Sequence, residues 1–342
     1  MTYLAGKIVL DVQAGAPNNG RGEDNRGVVK SFYKGGARYP YISAQAVRRW
    51  WRDSLPAEEA VSPVIRSGSG RNQKQQAYTQ GRPDQYIDDD LFGYMVAISK
   101  ENKQRDTVVA TGTFVSVVPR QIVSDFGTMT RGFGSGDDPV IHEHEFYSGE
   151  MVGDLLIDVP RIGTFPTAGS TKPALLPADE KAVRDAGTED SEFRGHPALR
   201  LPLAERKRRL SVALRSLSTL SGGAKKSLNY GDRTPAMILL APMKGGVNPF
   251  TRLWTVSDQK CVFDVGNFIE ELEAWRDELT GAVRIGWAPG FLGDQRQDAQ
   301  EQLKPHLDDG TVTIGHPRTI LAGLADDVDR GELDAWFEDP RG

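Results

Sequence analysis

Residues 40–55, PYISAQAVRRWWRDSL, hold the pattern that most narrows what this chain can fold into. With Ser43 as N-cap after an extended segment at 38–42, a period of 100° per residue puts Ala44, Val47, Trp50, Trp51 and Leu55 on one arc. Gln45, Arg48, Arg49 and Arg52 fall on the opposite arc, and Pro56 stops the helix. The apolar arc predicts a helix anchored on a sheet. The basic arc is either a grip for phosphates, which suits planar guanidiniums, or an ordinary solvated face.

The rest of the chain supplies the sheet. Residues 3–12 alternate as a buried strand. Residues 16–36 follow as a glycine-rich loop with Arg21, Arg26, Lys30 and Lys34, the composition of a backbone that approaches a partner closely. Glu23 and Asp24 in it read as solvated charges, since no third ligand stands at a useful spacing. Residues 62–85 lack apolar periodicity and read as a mobile insertion. Asp88, Asp89 and Asp90 run into a strand start, where alternate residues point to opposite faces and so argue against a metal site. Residues 108–118 and 146–159 are two antiparallel strands, and residues 119–145 protrude between them. His142 and His144 in that protrusion read as surface histidines. Residues 161–201 are a loop-rich excursion. Residues 203–220 form a helix with Leu203, Leu210, Leu214, Leu217 and Leu220 near one face and Arg208 with Arg215 opposite, ended by Gly222-Gly223. Residues 235–241 are an apolar strand, and 267–279 a second amphipathic helix with Phe268, Ile269, Leu272, Trp275 and Leu279 inward. The order is βαββαβ, which predicts an α+β, ferredoxin-like plan with large insertions. The acidic C-terminal stretch has no assigned place on that core.

Composition then limits the function classes. A chain of 342 residues with 38% hydrophobic and 26% charged residues fits a soluble globular protein of one elaborated domain or two. No leader-like run and no apolar stretch of roughly eighteen residues occurs, so a cytoplasmic protein without a membrane partner is expected. A single cysteine, Cys261, excludes an internal disulfide framework and a multi-cysteine zinc site, and it reads as core. A net charge of −5 speaks weakly against a nucleic-acid binder, but the charges are polarised. Residues 200–233 carry nine basic side chains against two acidic ones, and residues 290–342 carry twelve acidic against five basic. Such a chain either offers a basic track to a polyanion or docks the acidic end of one copy onto the basic part of another.

Four segments in succession carry a resemblance: 17–30 (PNNGRGEDNRGVVK), 35–55 (GGARYPYISAQAVRRWWRDSL), 88–95 (DDDLFGYM) and 220–236 (LSGGAKKSLNYGDRTPA). Over about residues 1–240 the chain resembles the DevR-type CRISPR-associated proteins, the repeated backbone subunit of type I Cascade complexes, and looks most like the type I-B branch. The resemblance implies an RRM-related palm at 1–245 with fingers at about 16–40, 56–90 and 161–201 and a thumb at about 119–145. An acidic extension of open role follows at 246–342. It implies copies stacked head to tail along one guide RNA, the crRNA, beside other Cascade subunits, presenting that RNA to a target DNA strand.

By position, the resemblance gives the guide phosphates to Asn19, Arg21, Arg26 and Lys30 in the loop and to Ser43, Gln45, Arg48, Arg49 and Arg52 on the helix. Gly222, Gly223, Lys225 and Lys226 would form a second RNA-contacting turn. Met129 and Phe133 would be the wedge of the thumb and Arg131 its clamp. Neither a catalytic residue, a metal nor a cofactor is required, because base pairing reads the sequence and the protein need hold only the backbone. Related type III backbone subunits cut RNA with a loop aspartate, and Asp24 lies in the comparable loop. A metal-dependent RNase therefore stands as an alternative, as does a stand-alone nucleic-acid-binding regulator.

Overall fold

The first apolar run forms strand β1 (Tyr3–Gly15), buried from Leu4 to Leu10 on both faces. A strand without a wet face belongs inside a sheet with layers on both sides. The computed structural model describes residues 1–22, 26–67, 76–98, 101–129, 132, 134, 140–167, 173–224 and 230–339. After β1 come β2 (Asn19–Arg21), β3 (Gly27–Val29), β4 (Ser31–Lys34), β5 (Ala37–Ile42) and helix α1 (Ala44–Asp53). Next are β6 (Ile65–Ser67), β7 (Gln76–Tyr78), α2 (Ile87–Phe92), β8 (Tyr94–Ile98), β9 (Glu101–Arg105), β10 (Val109–Thr111), β11 (Phe114–Ser116), β12 (Val123–Met129) and the long β13 (Val140–Asp158). A small unit of β14 (Thr164–Pro166), α3 (Pro177–Asp185), β15 (Glu189–Phe193) and β16 (His196–Arg200) precedes α4 (Leu203–Leu217) and β17 (Met237–Met243). The chain closes with β18 (Trp254–Ser257), β19 (Lys260–Phe263), α5 (Val265–Ala274), β20 (Val283–Trp287), α6 (Gln295–Gln302), α7 (Lys304–Asp308), β21 (Val312–Gly315) and α8 (Pro317–Arg330).

The main sheet runs β21-β20-β17-β1-β13-β11-β5-β4. Strand β1 is antiparallel to both β13 and β17, and β11 is antiparallel to β13. Alternation divides each central strand between two cores. Ile238 and Leu240 of β17 join Leu4, Ile8, Val47, Trp51, Leu210 and Leu214 beneath α1 and α4. Met237, Leu239 and Ala241 point the other way and meet Phe250, Phe263, Phe268 and Leu272. The short apolar run at 235–241 is thus buried on both sides because helices cover one face and the C-terminal region the other. Cys261 lies in that second layer, free and buried, and burial pushes its thiol up to about 12.

Several sequence expectations are corrected. Asp88, Asp89 and Asp90 do not start a strand; they form the first turn of α2, and all three are buried. Carboxylates favour a helix N-terminus, and once buried they need donors. Asp90, at 0% exposure, receives Arg105, Arg209 (2.8 Å) and the backbone N–H of Gly163 (3.0 Å). Asp89 accepts from the Arg82 N–H (3.0 Å) and Asp88 from that of Ser62 (2.8 Å). Local alternation is blind to donors so distant in sequence. His144 is buried, its Nε2 3.3 Å from Asp125, whereas His142 is exposed. Residues 108–118 make two short strands, β10 and β11, both paired to β13. The excursion at 161–201 holds a three-stranded sheet, β14-β16-β15, with its own core of Phe165, Leu175, Val183 and Leu199. Its prolines misled because Pro177 begins α3, a position where proline is tolerated. Leu203 is 39% exposed and does not share the apolar face of α4.

The acidic C-terminal stretch belongs to the core. Strand β20 pairs antiparallel to β17, β21 adds parallel to β20, and Leu321, Leu324 and Val328 of α8 share the α4 core. Arg215 bridges Asp326 (2.6 Å) and Asp329 (2.9 Å) on α8, and Lys207 reaches Asp334 (2.9 Å). Arg208 pairs with Glu59 and Glu205, and Arg206 and Arg209 are buried. Among the described residues the basic side chains of α4 therefore form no open track; the acids they attract lie in the same chain. Among the described residues, no helix is long and apolar enough to cross a membrane.

Three substitutions test this packing. Trp51→Ala removes a fully buried indole and should cost about 3–5 kcal/mol in urea unfolding. Asp90→Ala leaves the buried Arg105 without a carboxylate and Arg209 with Glu205 alone, and should cost about 3–5 kcal/mol, against less than about 1 kcal/mol for the exposed Arg215→Ala. Equal losses at Asp90 and Arg215 would contradict the buried hub.

Candidate nucleic-acid interface

Helix α1 forms as its sequence dictates. The Ser43 hydroxyl caps it, accepting from the Ala46 N–H (3.3 Å), and Val47, Trp50 and Trp51 are buried. The Trp51 indole N–H donates to the Ala213 carbonyl (3.0 Å) and the Ser216 hydroxyl (2.8 Å), which fixes α1 on α4. Phe92 meets Trp51 edge to face, with centroids 5.9 Å apart.

The opposite face is not uniform. Gln45 and Arg49 are exposed, and Arg49 is held by Asp53 through Nε at 2.7 and 3.0 Å. Arg52 is half-buried, with Nε 3.4 Å from Asp88 and its guanidinium 5.1 Å above the Phe92 ring. Arg48, also half-buried, reaches only the Thr111 carbonyl at 3.5 Å, and it has no carboxylate partner among the described residues. Burial, and then the charge of Arg52, pull its pKa below the ordinary value, yet a guanidinium remains a cation at any physiological pH. Burial also pushes Asp88, the acid beside Arg52, above the usual carboxylate range. Of two neighbouring guanidiniums, Arg52 thus faces a poorly solvated carboxylate and Arg48 faces none among the described residues, which leaves positive potential on this face.

The glycine-rich loop is tied to this helix and to the protruding hairpin. The Asn18 side-chain oxygen accepts from the Ser43 N–H (2.9 Å), and the Asn19 amide donates to the Glu145 carbonyl (2.9 Å). Arg26 is held by Glu143 (2.7 Å), Glu145 (3.3 Å) and Ser124 (3.1 Å), while Arg21 is exposed and Lys30 is half-buried. Asp24 lies outside the described residues.

The predicted glycine turn reaches the same surface. A Cβ on Gly222 would stand 2.1 Å from the Trp50 ring, and Gly223 has φ +121°, so only glycine fits at both. The Ser221 N–H donates to the Ser54 hydroxyl (3.1 Å) and the Ala224 N–H to the Ala16 carbonyl (3.0 Å). Loop, helix and turn, three separate motifs in sequence, meet in one place. Lys225 and Lys226 lie outside the described residues.

The protrusion is an antiparallel hairpin of β12 on the first half of β13, in register from Val123↔Phe146 to Met129↔Val140. Phe126 and Ile141 on it are 65% and 64% exposed. The Met129 side chain, Arg131 and Phe133 lie outside the described residues. Among the described residues no cluster of His, Cys, Asp or Glu is placed to hold a metal ion.

Sequence reasoning missed Asn18, which anchors the loop, and Arg233, whose buried guanidinium has Nη2 3.1 Å from the Cβ position of Gly223. Asn18 sits inside the quoted loop motif, and Arg233 entered only as one charge in a basic run; what each one touches is not written locally.

No family model matches the chain, and no curated protein matches it. Solved structures do. A chain of a structure described as "CRISPR RNA-guided surveillance complex, pre-nicking" superposes with a TM-score of 0.56 at 10% identity, covering 95% of this chain and 100% of that one. A chain of a second, described as "CRISPR RNA-guided surveillance complex", gives 0.53 at 13% identity, covering 95% and 98%. The chain shares its mixed α+β fold, over nearly its whole length, with chains of RNA-guided CRISPR surveillance complexes.

Proposed function

We propose that this protein is a guide-RNA-binding backbone subunit of a type I CRISPR surveillance complex, of the DevR type and the I-B branch. The observation that carries the reading is the convergence of the Asn18 loop, the Arg48–Arg52 face and the Gly222–Gly223 turn on a fold of this kind. Strands β1, β11, β13 and β17 with α1 and α4 follow βαββαβ in sequence and lie in the order β17-β1-β13-β11, which supports a ferredoxin-like palm. The groups offered are guanidiniums, amides and close backbone. Guanidiniums and close backbone N–H groups suit phosphates, whose contacts carry no sequence information, as binding any guide sequence requires. The hairpin at 119–145 is the thumb of this reading, and the crRNA, a target DNA strand, further copies and other Cascade subunits are its partners.

Arg48→Ala combined with Arg52→Ala should weaken binding of single-stranded RNA for every sequence alike and flatten the salt dependence by about 0.7 log unit for each phosphate no longer neutralised. Titrations with two unrelated oligonucleotides check this; weakening confined to one of them would overturn the phosphate assignment. The melting temperature should fall modestly, since Arg52→Ala leaves the buried Asp88 without its cation, so binding is compared well below the variant's Tm.

We further propose that the protein does not itself cut nucleic acid. Purified protein with Mg²⁺ and a guide-complementary RNA should leave that RNA intact, and Asp24→Ala should leave interference unchanged. Metal-dependent cleavage abolished by Asp24→Ala would favour the RNase alternative instead. Because α4 and α8 neutralise each other within one chain, assembly of copies in this reading runs along the RNA. The number of copies bound should rise stepwise with RNA length in native mass spectrometry, and a two-fold dimer that persists without RNA at high salt would contradict it.

A further inference from the structure

Alternation along the last two strands of the main sheet gathers aromatic rings on one face. In the β4–β5 hairpin Phe32 stands opposite Tyr39, and Tyr41 follows Tyr39 by two residues, so all three point the same way. The Phe32 and Tyr39 rings stack with centroids 5.9 Å apart, and Phe32 lies 6.3 Å from Tyr41. Ile42, of the other parity, is buried with Val47 and Trp51 of α1. The rings therefore occupy the face turned away from that helix.

Cover on that face stops short of them. A row runs from Val152 of β13 to Val115 of β11 and on to Tyr41. The C-terminal layer packs on Val152, whereas Val115, Tyr41 and Tyr39 beyond it are half-buried and Phe32 is 39% exposed. Gly35 and Gly36, at φ +58° and +79°, close the hairpin in a tight turn, so the rings stand on a rigid element.

Cross-strand packing stabilises a hairpin and accounts for Phe32 on Tyr39. It does not account for the charges around them. Lys34 is exposed on the same face as Phe32, and the Tyr41 N–H donates to the Lys30 carbonyl (2.9 Å), which continues the pairing by one residue and puts Lys30 on that face too. Lys30, Phe32 and Lys34 thus alternate cation and ring along one strand, facing Tyr41 and Tyr39 on the other. Residues 30–42 contain three basic side chains and no acid. Arg38, on the far face, is engaged with the Ser31 hydroxyl (2.8 Å), while Lys30 and Lys34 have no ion pair among the described residues. Glu150, the acid of β13 on this side of the sheet, is held by Arg120. Open rings interleaved with unpaired lysines suit the bases and phosphates of a single strand, whereas the centre of a protein interface is depleted of lysine.

We propose that this face of the β4–β5 hairpin is a second contact for single-stranded nucleic acid, with bases stacked on the Phe32, Tyr39 and Tyr41 rings and phosphates on Lys30 and Lys34. It rests on the RNA reading for the strand that arrives and extends it: α1 offers guanidiniums on one side of the sheet, and the hairpin offers ring faces on the other. Every base has a π-face, so this contact, too, is blind to sequence.

An oligouridine and an abasic oligonucleotide with the same number of phosphates, titrated onto the full chain, test the assignment. Wild type should bind the oligouridine about tenfold more tightly than the abasic strand. Phe32→Ala and Phe32→Leu should lose that preference while keeping their affinity for the abasic strand, and Phe32→Trp should restore it. The leucine variant retains apolar bulk, which separates loss of the ring face from loss of folding. Tyr33→Ala removes a ring 72% exposed on the far face and should leave the preference intact; an equal loss there would overturn the assignment to this face. A preference that survives both Phe32 substitutions, while Arg48→Ala with Arg52→Ala still weakens both strands, would overturn the stacking contact and leave the RNA reading standing. A preference lost on Phe32 substitution, with no effect of the α1 pair, would keep the stacking contact and overturn the phosphate assignment on α1. Phe32 variants that bind both strands as wild type does but self-associate less in sedimentation velocity would make the face an interface between copies and overturn the proposal.

Discussion

A carboxylate shut away from water must be met by donors, and the buried Asp90 is met from three parts of the chain. Arg105 comes from β9, Arg209 from α4 and the Gly163 N–H from the start of the 161–201 unit. Removing any one leaves charge or dipole unmatched in a medium where that is costly. The hub therefore fixes α2 against α4, and α1 is oriented by both: Trp51 docks on α4 and on Phe92, and Arg52 reaches Asp88. The direction in which the basic face of α1 points is thus set by a cluster that this face does not touch.

What an arginine can offer a ligand depends on what it already holds. Those of α4 are committed, buried on carbonyls or paired with acids, so a run of basic residues in sequence ends as internal structure. Arg49 is committed as well, to Asp53, though an exposed i,i+4 pair yields readily. Arg48 and Arg52 lie between these limits. Half-buried, they have shed part of their hydration and rotamer freedom before any ligand arrives, while the Asp88 carboxylate engages Arg52 and leaves Arg48 without a counter-charge among the described residues.

These contrasts explain what the sequence could and could not say. The facing of α1 was legible because Val47, Trp50 and Trp51 obey one local period, and a mixed α+β fold because the strands at 3–12 and 235–241 and the helix at 203–217 are locally patterned. Asp88–Asp90 were misread because their donors lie far along the chain. The charge runs at 200–233 and 290–342 were correctly counted, but their pairing as Arg215 with Asp326 and Asp329 is a tertiary fact. Among the site residues, the convergence of Gly222 on Trp50 could not be read locally either, since a glycine turn does not state which ring it has made room for.

Glu145 links the loop to the protruding hairpin in the same non-local manner. It stands at the foot of the β12–β13 hairpin, and its carboxylate takes the Val29 N–H (2.8 Å) and Arg26 (3.3 Å), with Arg38 at 3.8 Å. Its carbonyl takes the Asn19 amide (2.9 Å). Because Asn18 in turn holds the N-terminus of α1, a short chain of hydrogen bonds runs from the basic helix through the loop to the base of the hairpin. A strand lying on α1 would then meet the hairpin at a distance the protein sets and the strand does not. That spacing between the basic face and the hairpin rests on two asparagines and one glutamate.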